Sequence, residues 1–468
     1  MKVVFIGGGS YHLLPILRGL MGAGRIVAGG EIDLYDLSPE RAEAMGRMAM
    51  KTPEFQTADC RISWPRTLDE ALPGADAVAV ILMGGSQESH ARGMVASAEH
   101  GFLASDNVSL NGAFLAVKTA AILQDLADRM RVHCPRALLV NFANPTAVLS
   151  GMINNHTRIR AAGICAGAGN HEWDLMRLMG KDEQGCEFDV DAAGVNHMSF
   201  ILKGTYRGED LFNIYDRLLN DDWKPPALMA RWGEVPRRGI ADGLKYMARI
   251  YRELGVLMFS SEFDGLSHLC YEEMLERNAE ERQALLAMPY EERVKSRMRI
   301  MPDRRREMAA SFNKHLNAAL DRQFWDHYWE QDHRFGRDNR HIIVKLLRGL
   351  SGAERAKVVF SRPNGGAVAG FKDRTVLEYS HFVLRDEIVP AGHYEIPDSV
   401  HGMTGALAAH QTLLGDAIAD QDPRKLAQAL MAYPIRPYSR ALRTLCLELA
   451  EINRDEMPAP LRTVNEFL

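Results

Sequence analysis

Two residues far apart in the chain, Cys165 and His197, carry the donor atoms that invite a chemical reading. A thiolate and an imidazole on separate segments can share one divalent metal. Two protein ligands leave positions open for substrate oxygens, as in catalytic rather than four-ligand structural sites. A buried free thiol and a hydrogen-bonded ring are the commoner explanation of two such residues on spacing alone, and the metal reading stands beside it. Asp106 lies in Ala104-Ser105-Asp106-Asn107-Val108-Ser109-Leu110-Asn111-Gly112, ahead of a helix. It can serve the helix start as a cap or point a carboxyl group into a crevice. Asp264, His268 and Tyr271 share one polar stretch. On a helix His268 and Tyr271 lie on one face at i, i+3. Each of the three can accept a proton, or be an ordinary surface group. Asn144 precedes Pro145, which biases it away from helix; it marks a turn or holds a substrate hydroxyl. Asn196, beside His197, is assigned to substrate as well.

The elements that must position these groups begin at the first residues. Val3 to Ile6 is a short apolar run of strand type, Gly7-Gly8-Gly9-Ser10 follows at once, and Leu13, Leu14, Ile16, Leu17 and Leu20 recur at helical spacing. Strand, glycine turn and helix make a phosphate-binding turn. Gly7 supplies the backbone freedom, Gly9 admits a pyrophosphate, and the helix start offers unpaired N–H groups. His12 stands where a third glycine is usual. The next strand, Ile32 to Tyr35, ends in Asp36, an acid that suits the ribose hydroxyls and repels a 2′-phosphate, so NAD is expected over NADP. An ordinary Gly-rich turn is the plainer alternative. Further buried strands at Ala77 to Met83, Ala137 to Phe142 and Arg160 to Cys165 alternate with helices, one of them at about 112–130. Parallel strands in an open sheet place their carboxyl ends along one crevice. Gly7, Gly8, Gly9, Ser10, Asp36, Gly84 and Asn144 fall at such ends as a cofactor-binding set, and so does Cys165.

These patterns predict an α/β fold: a Rossmann-type doubly wound sheet over 1–165, then a C-terminal α+β, mostly helical substrate domain over 166–468. In the second half Gly194 to His197 sits between a strand pair, and about 210–350 reads as charged helix broken at Pro225-Pro226 and Pro236. Arg304-Arg305-Arg306 reads as a solvated helix face. Ser361 to Gly370 reads as a loop, and helices at Met403 to Ala417 and Arg424 to Ala432 close the chain.

Composition narrows the classes further. Of 468 residues, 46% are hydrophobic and 25% charged, and the net charge is -5. A balance this mild argues against a nucleic-acid binder that lives on phosphate contacts. No apolar run reaches the ~18 residues of a membrane span. The N-terminus enters a strand at once, which leaves no room for a signal peptide. The six cysteines are scattered without a CxxC, as expected of free thiols in a reducing cytoplasm.

Ile6-Gly7-Gly8-Gly9-Ser10, Asn144-Pro145, Gly163-Ile164-Cys165 and Gly194-Val195-Asn196-His197 together resemble the NAD- and divalent-metal-dependent glycoside hydrolases of family 4. Gly255, Ser267-His268-Leu269, Pro363-Asn364-Gly365 and the Gly415 to Ile435 tail agree in order, so the resemblance runs over nearly the full length. It implies a departure from the usual two-carboxylate glycosidase. The sugar is oxidised at C3 by NAD, and a divalent metal, Mn2+ by expectation, on Cys165 and His197 polarises the C3 and C2 oxygens. A base removes the C2 proton, an acid helps the aglycone leave, water adds at C1, and the hydride returns. The resemblance also implies a homodimer or homotetramer acting on a small glycoside, an α-hexoside or uronide, with a 6-phosphoglycoside as the alternative.

The chain departs from the family pattern at the acid and base. The phosphoglucoside branch has an acidic residue after the ligand cysteine, and the glucuronidase and galactosidase branches a histidine; here Ala166 follows. Asp106 is therefore the expected acid, with His171 as a substitute. The Ser267-His268-Leu269 segment looks closer to the uronidase and galactosidase branches. His268 is expected in the site, with Asp264 and Tyr271 as candidate bases. Two readings from other classes compete: a 2-hydroxy-acid dehydrogenase, which lacks its His-Gly-Asp element here, and a redox-sensing NAD-binding protein, which needs neither Cys165 nor His197.

Overall fold

The computed structural model describes residues 1–10, 13–24, 26–165, 174–181, 188–225, 234–298, 342–435 and 439–468. His12, Ala166, His171 and Arg304 to Arg306 lie outside these residues.

The N-terminal strands are nearly continuous apolar runs, which suits burial on both faces. They are β1 (Lys2–Ile6), β2 (Glu31–Tyr35), β3 (Arg61–Ser63), β4 (Ala77–Val80), β5 (Leu138–Asn141) and β6 (Ala161–Gly163). All six are parallel, in the order β3-β2-β1-β4-β5-β6. The pleat alternates side chains between two cores. Val4, Ile6, Val78 and Val80 face one core, while Val3, Phe5, Ala77 and Ala79 face the other. The second core takes α1 (Leu13–Gly22) and α2 (Pro39–Ala49). Between β4 and β5 come α4 (Gln87–Glu99) and the long α5 (Leu110–His133), after the one-turn α3 (Leu68–Ala71). Helix α6 (Thr146–His156) follows β5. The doubly wound half is thus as expected.

The sheet does not stop at β6. Strands β7 (Phe188–Val195) and β8 (Met198–Tyr206) form a hairpin, with β9 (Glu209–Asp210) and β10 (Leu257–Met258) pairing on β8. Strands β11 (Ala356–Pro363), β12 (Val376–Leu384) and β13 (Glu387–Pro390) complete it. β11 joins β6 antiparallel through Ser361 and Gly163, and the order continues β11-β12-β7-β8-β10. The three late strands are not evident in the sequence pattern. β12 carries Glu378 and His381 inside, both buried, so its polar residues hide a buried strand. The loop expected from Ser361 begins only after Pro363. A third helix, Ser439–Asn453, follows the two expected near the end.

Both N-terminal cores draw on late segments. Leu414, Leu426, Leu442 and Leu449 pack with α5 on one face, and Ile343 and Leu347 pack with β1 and β2 on the other. Among the described residues no helix is long and apolar enough to cross a membrane.

Candidate active site

The carboxyl ends of β1, β2, β4, β5 and β6 lie along one edge of the sheet, and the expected cofactor residues stand there. The Gly7 and Gly8 N–H groups both donate to Tyr35 O, at 2.9 and 2.8 Å, which stitches the glycine turn to the end of β2. Gly7 has φ +86°, and a Cβ on it would lie 2.1 Å from Ile81 O, so conformation and space both demand glycine. Ser10 N–H donates back to Gly7 O. Asp36 accepts from Gly9 N–H and Ser38 N–H, each at 2.9 Å, and so carries its carboxylate beside the turn. Gly84 N–H donates to Thr119 Oγ1 on α5 at 3.2 Å. A glycine turn against a strand-tip carboxylate fits a dinucleotide whose phosphates meet main chain and whose ribose meets an acid.

At the far end of this edge β6 gives way to Cys165, and the β7–β8 hairpin brings in His197. Val195 pairs with Met198, so Asn196 and His197 form the whole turn. His197 adopts φ +68°, a left-handed conformation uncommon outside glycine. Its Nε2 lies 3.3 Å from Cys165 Sγ, and both residues are buried. Its Nδ1 faces Asp264 Oδ1 at 2.7 Å. Two donors that share one divalent ion at bond lengths of about 2.0–2.3 Å stand roughly 3 to 4 Å apart. The pair therefore fits a shared ion with small adjustment. A carboxylate on the second ring nitrogen is the usual support of a ligating histidine. Among the described residues no group of three or more His, Cys, Asp or Glu could hold a metal, so these residues offer two donors only.

Electrostatics follow this arrangement. Burial opposes ionisation of Asp264, but the facing His197 ring and donation from Val108 N–H hold it well below the usual carboxylate range. Burial likewise disfavours a charged His197, and Asp264 and Cys165 outweigh it. Asn107 Nδ2 reaches both His197 Nε2, at 3.1 Å, and Asn196 Oδ1, at 2.7 Å.

A cavity of about 370 Å3 opens beside His197. Asp106, Glu262 and Asp264 line it with the rings of Phe102 and Phe263. Asp106 accepts from Asn144 Nδ2 at 3.0 Å, which ties the end of β5 to the loop before α5. Glu262 is not among the residues expected from sequence. The signal for it is a second carboxylate two residues before Asp264. Burial raises its pKa; His197 opposes the shift, and Asp264, Asp174 and Asp106 add to it.

The other expected site residues sit apart from the cavity wall. Asn196 is fully buried, with Oδ1 accepting from Thr146 Oγ1 at 3.0 Å and Nδ2 donating to Glu378 Oε2 at 2.8 Å. Glu378 also accepts from Ser199 Oγ at 2.8 Å, so this network frames the turn that carries His197. His268 is buried edge-on to Tyr433, with ring centroids 6.0 Å apart. The Tyr433 hydroxyl donates to Val108 O. Tyr271 donates its hydroxyl to Gly101 O at 2.6 Å. Arg92 pairs with Glu88 along α4.

Comparison with known proteins shows the family. Residues 2–180 match the model of the family 4 glycosyl hydrolases, and residues 192–435 match that of the family 4 glycosyl hydrolase C-terminal domain. The chain is 21% identical over 456 residues to the alpha-galacturonidase of Thermoanaerobacter italicus, spanning 93% of this chain and 92% of the relative. It is 22% identical over 463 residues to the alpha-galactosidase of Bacillus subtilis, spanning 98% and 99%. Its fold resembles that of a 6-phospho-alpha-glucosidase from gut microorganisms solved with NAD and glucose-6-phosphate, at a TM-score of 0.78 and 17% identity over 98% of this chain and 99% of that one. A 6-phospho-beta glucosidase of Thermotoga maritima, solved with manganese, NAD+ and glucose-6-phosphate, gives 0.73 and 17% over the same shares. The Rossmann edge, the thiol–imidazole pair and matches that together run from residue 2 to residue 435 lead to one conclusion: this chain belongs to family 4 of the glycosyl hydrolases.

Proposed function

We propose that this family 4 glycosidase cleaves its substrate by redox-assisted elimination, with Cys165 and His197 holding a divalent metal, Mn2+ by preference, and Gly7 to Ser10, Asp36, Gly84 and Asn144 lining the NAD site. The observation that carries the reading is the 3.3 Å approach of Cys165 Sγ to His197 Nε2 at the end of the dinucleotide edge. When bound, NAD supplies reversible hydride transfer at C3 and the metal a Lewis acid for the sugar oxygens.

The chain's own residues do the rest. Asp264 accepts a hydrogen bond from Nδ1–H of His197, which leaves the Nε2 lone pair for the ion; it is a positioning residue in this reading. Asp106, held by Asn144, gives a proton to the departing oxygen. Glu262, across the same cavity, takes the C2 proton, and the burial that raises its pKa strengthens it as a base. Asn196 acts on substrate through the turn it braces. His268 and Tyr271 support the loops around Val108 and Gly101.

The substrate we favour is an α-galactoside or α-galacturonide, because full-length relatives carry those names. A 6-phosphoglycoside is the second reading, favoured by the structural neighbours solved with glucose-6-phosphate. Residues 1–165 form the dinucleotide half in chain order and 166–468 the substrate half, with late segments returning to complete the first half's cores. We also place the enzyme in a reducing cytoplasm as a homodimer or homotetramer; Cys60, Cys134, Cys270 and Cys446 are free thiols, as that compartment favours.

The test is dialysis against EDTA, then assay on a panel of nitrophenyl glycosides with NAD and Mn2+ restored separately and together. Turnover is expected only with both, and a C2-deuterated substrate should lose its label to solvent. Metal-independent turnover with the label retained would overturn the mechanism, and the panel identifies the sugar.

A further inference from the structure

An ionic cluster built on a buried lysine lies directly behind the loop that follows β4. Lys118, on α5, has its side chain almost wholly buried, and its Nζ donates to Ser89 Oγ at 2.7 Å. Ser89 Oγ in turn donates to Glu456 Oε2 at 2.7 Å, and Lys118 Nζ stands 3.3 Å from the same oxygen. Ser86 N–H donates to that oxygen as well, at 3.1 Å. Gly85 completes the enclosure: it has φ +75°, and a Cβ there would lie 2.5 Å from Glu456 Oε2 and 2.8 Å from Lys118 Cδ. One carboxylate, some 370 residues along the chain from Ser86, thus gathers two donors of the Gly85 to Ser89 segment, Ser86 N–H and Ser89 Oγ.

The position matters because Gly84 and Gly85 stand at the carboxyl end of β4, between β1 and β5 on the crevice edge. Main chain at such an end has to be held in one conformation if a cofactor is to pack against it. On its own this loop has little to hold it: two glycines, then the Ser86 cap of α4. A charge-assisted carboxylate with several donors is a strong fixture in a partly buried setting.

We propose that Glu456, on the Arg454–Glu456 turn near the C-terminus, is a positioning residue for the cofactor: by clamping Gly85 to Ser89 it sets the affinity for NAD. The inference rests on the reading that this loop lines the dinucleotide site. It gives the C-terminal segment a role in cofactor binding without contact to the cofactor.

The experiment is calorimetric titration of the full-length, cofactor-free protein with NAD, comparing wild type with Glu456→Gln. The variant should bind about tenfold more weakly, the ratio that a loss of 1.4 kcal/mol gives. Its kcat at saturating NAD and metal should stay close to wild type, so the effect falls on KM for NAD. Asp455→Asn, an exposed neighbour on the same turn, is the control for general loss of stability. Ser89→Ala is the milder second variant, expected at about threefold for the loss of one hydrogen bond. Hydrogen exchange supplies a readout that a purely structural brace would not move: NAD should slow exchange at Arg454 to Glu456 as well as at Gly85 to Ser89 in wild type, and only at the latter in Glu456→Gln. If wild type binds NAD and both variants bind it equally well, the clamp is refuted while the cofactor site stands. If wild type shows no affinity for NAD, the reading of the crevice falls and the clamp with it.

Discussion

The parallel and antiparallel halves of the sheet solve different problems. In the parallel half each strand ends on the same edge by construction, so short local signals at five strand ends become neighbours without further help. In the antiparallel half the chemistry depends on segments that meet only in space. His197 comes from a hairpin turn, Asp264 from the segment after β10, Asn107 from the loop before α5, and Glu378 from β12 beneath the turn. One half is a row of local endings, and the other a small network of long-range contacts. Damage to the first should show mainly as weakened cofactor binding, and damage to the second as lost metal or lost stability.

That contrast can be broken by mutation, beginning with the largest effect. Cys165→Ser or His197→Asn should lower kcat by about a thousandfold or more, the scale of a lost Lewis-acid contribution of several kcal/mol. Excess Mn2+ should not restore His197→Asn, and an unchanged rate would dismiss the pair as metal ligands. Asp264→Asn should weaken metal affinity about 10- to 100-fold, the usual cost of losing such a partner. Metal titration of activity checks it, and rescue by high Mn2+ separates a positioning role from that of a base. Gly7→Ala should raise the Kd for NAD by about tenfold or more, because the methyl would force the turn off Ile81 O at an unfavourable φ. Metal affinity should be untouched, and a variant that loses metal instead would erase the distinction between the halves. Glu378→Gln should cost about 1–3 kcal/mol of stability in denaturant unfolding, since one of the two oxygens that accept from Asn196 Nδ2 and Ser199 Oγ becomes an NH2 donor.

The last effect concerns acid. His268 and His410 flank Tyr433, and burial lowers both rings to about 4. In the unfolded chain a histidine titrates near 6.5. The unfolded state therefore takes up protons first as pH falls. The stability these neutral rings contribute is complete above about pH 6.5 and declines as pH drops from there toward 4, by on the order of 1 kcal/mol per unit for each ring. Unfolding measured across that window should show the slope, and His410→Gln should roughly halve it. A slope unchanged in the variant would remove His410 from the account.

Much of the site is legible in the chain's residues alone. Gly7, Asp36 and Gly84 announce themselves because a strand–glycine–helix signal is written in consecutive residues. Cys165 and His197 stand out by residue type and family motif, but their separation in space is not written there. Asp264 reads as a possible base, and its geometry makes it the partner of His197 Nδ1. Glu262 does not stand out, because an acid in a charged stretch looks like solvated surface. Strand β12 is hidden because Glu378 and His381 disguise it.

By itself, then, the sequence determined the alternating strands and helices, the glycine turn, the choice of acid at the tip of β2 and the family motifs. These depend on backbone preference and hydrophobic period, which act over a few residues. The tertiary structure alone decided which carboxylates face the cavity, which ring nitrogen of His197 faces Asp264 and which faces Cys165, and that Glu456 lies behind the loop after β4. Those depend on segments separated by tens to hundreds of residues, and a local pattern holds no information about a distance that only packing sets.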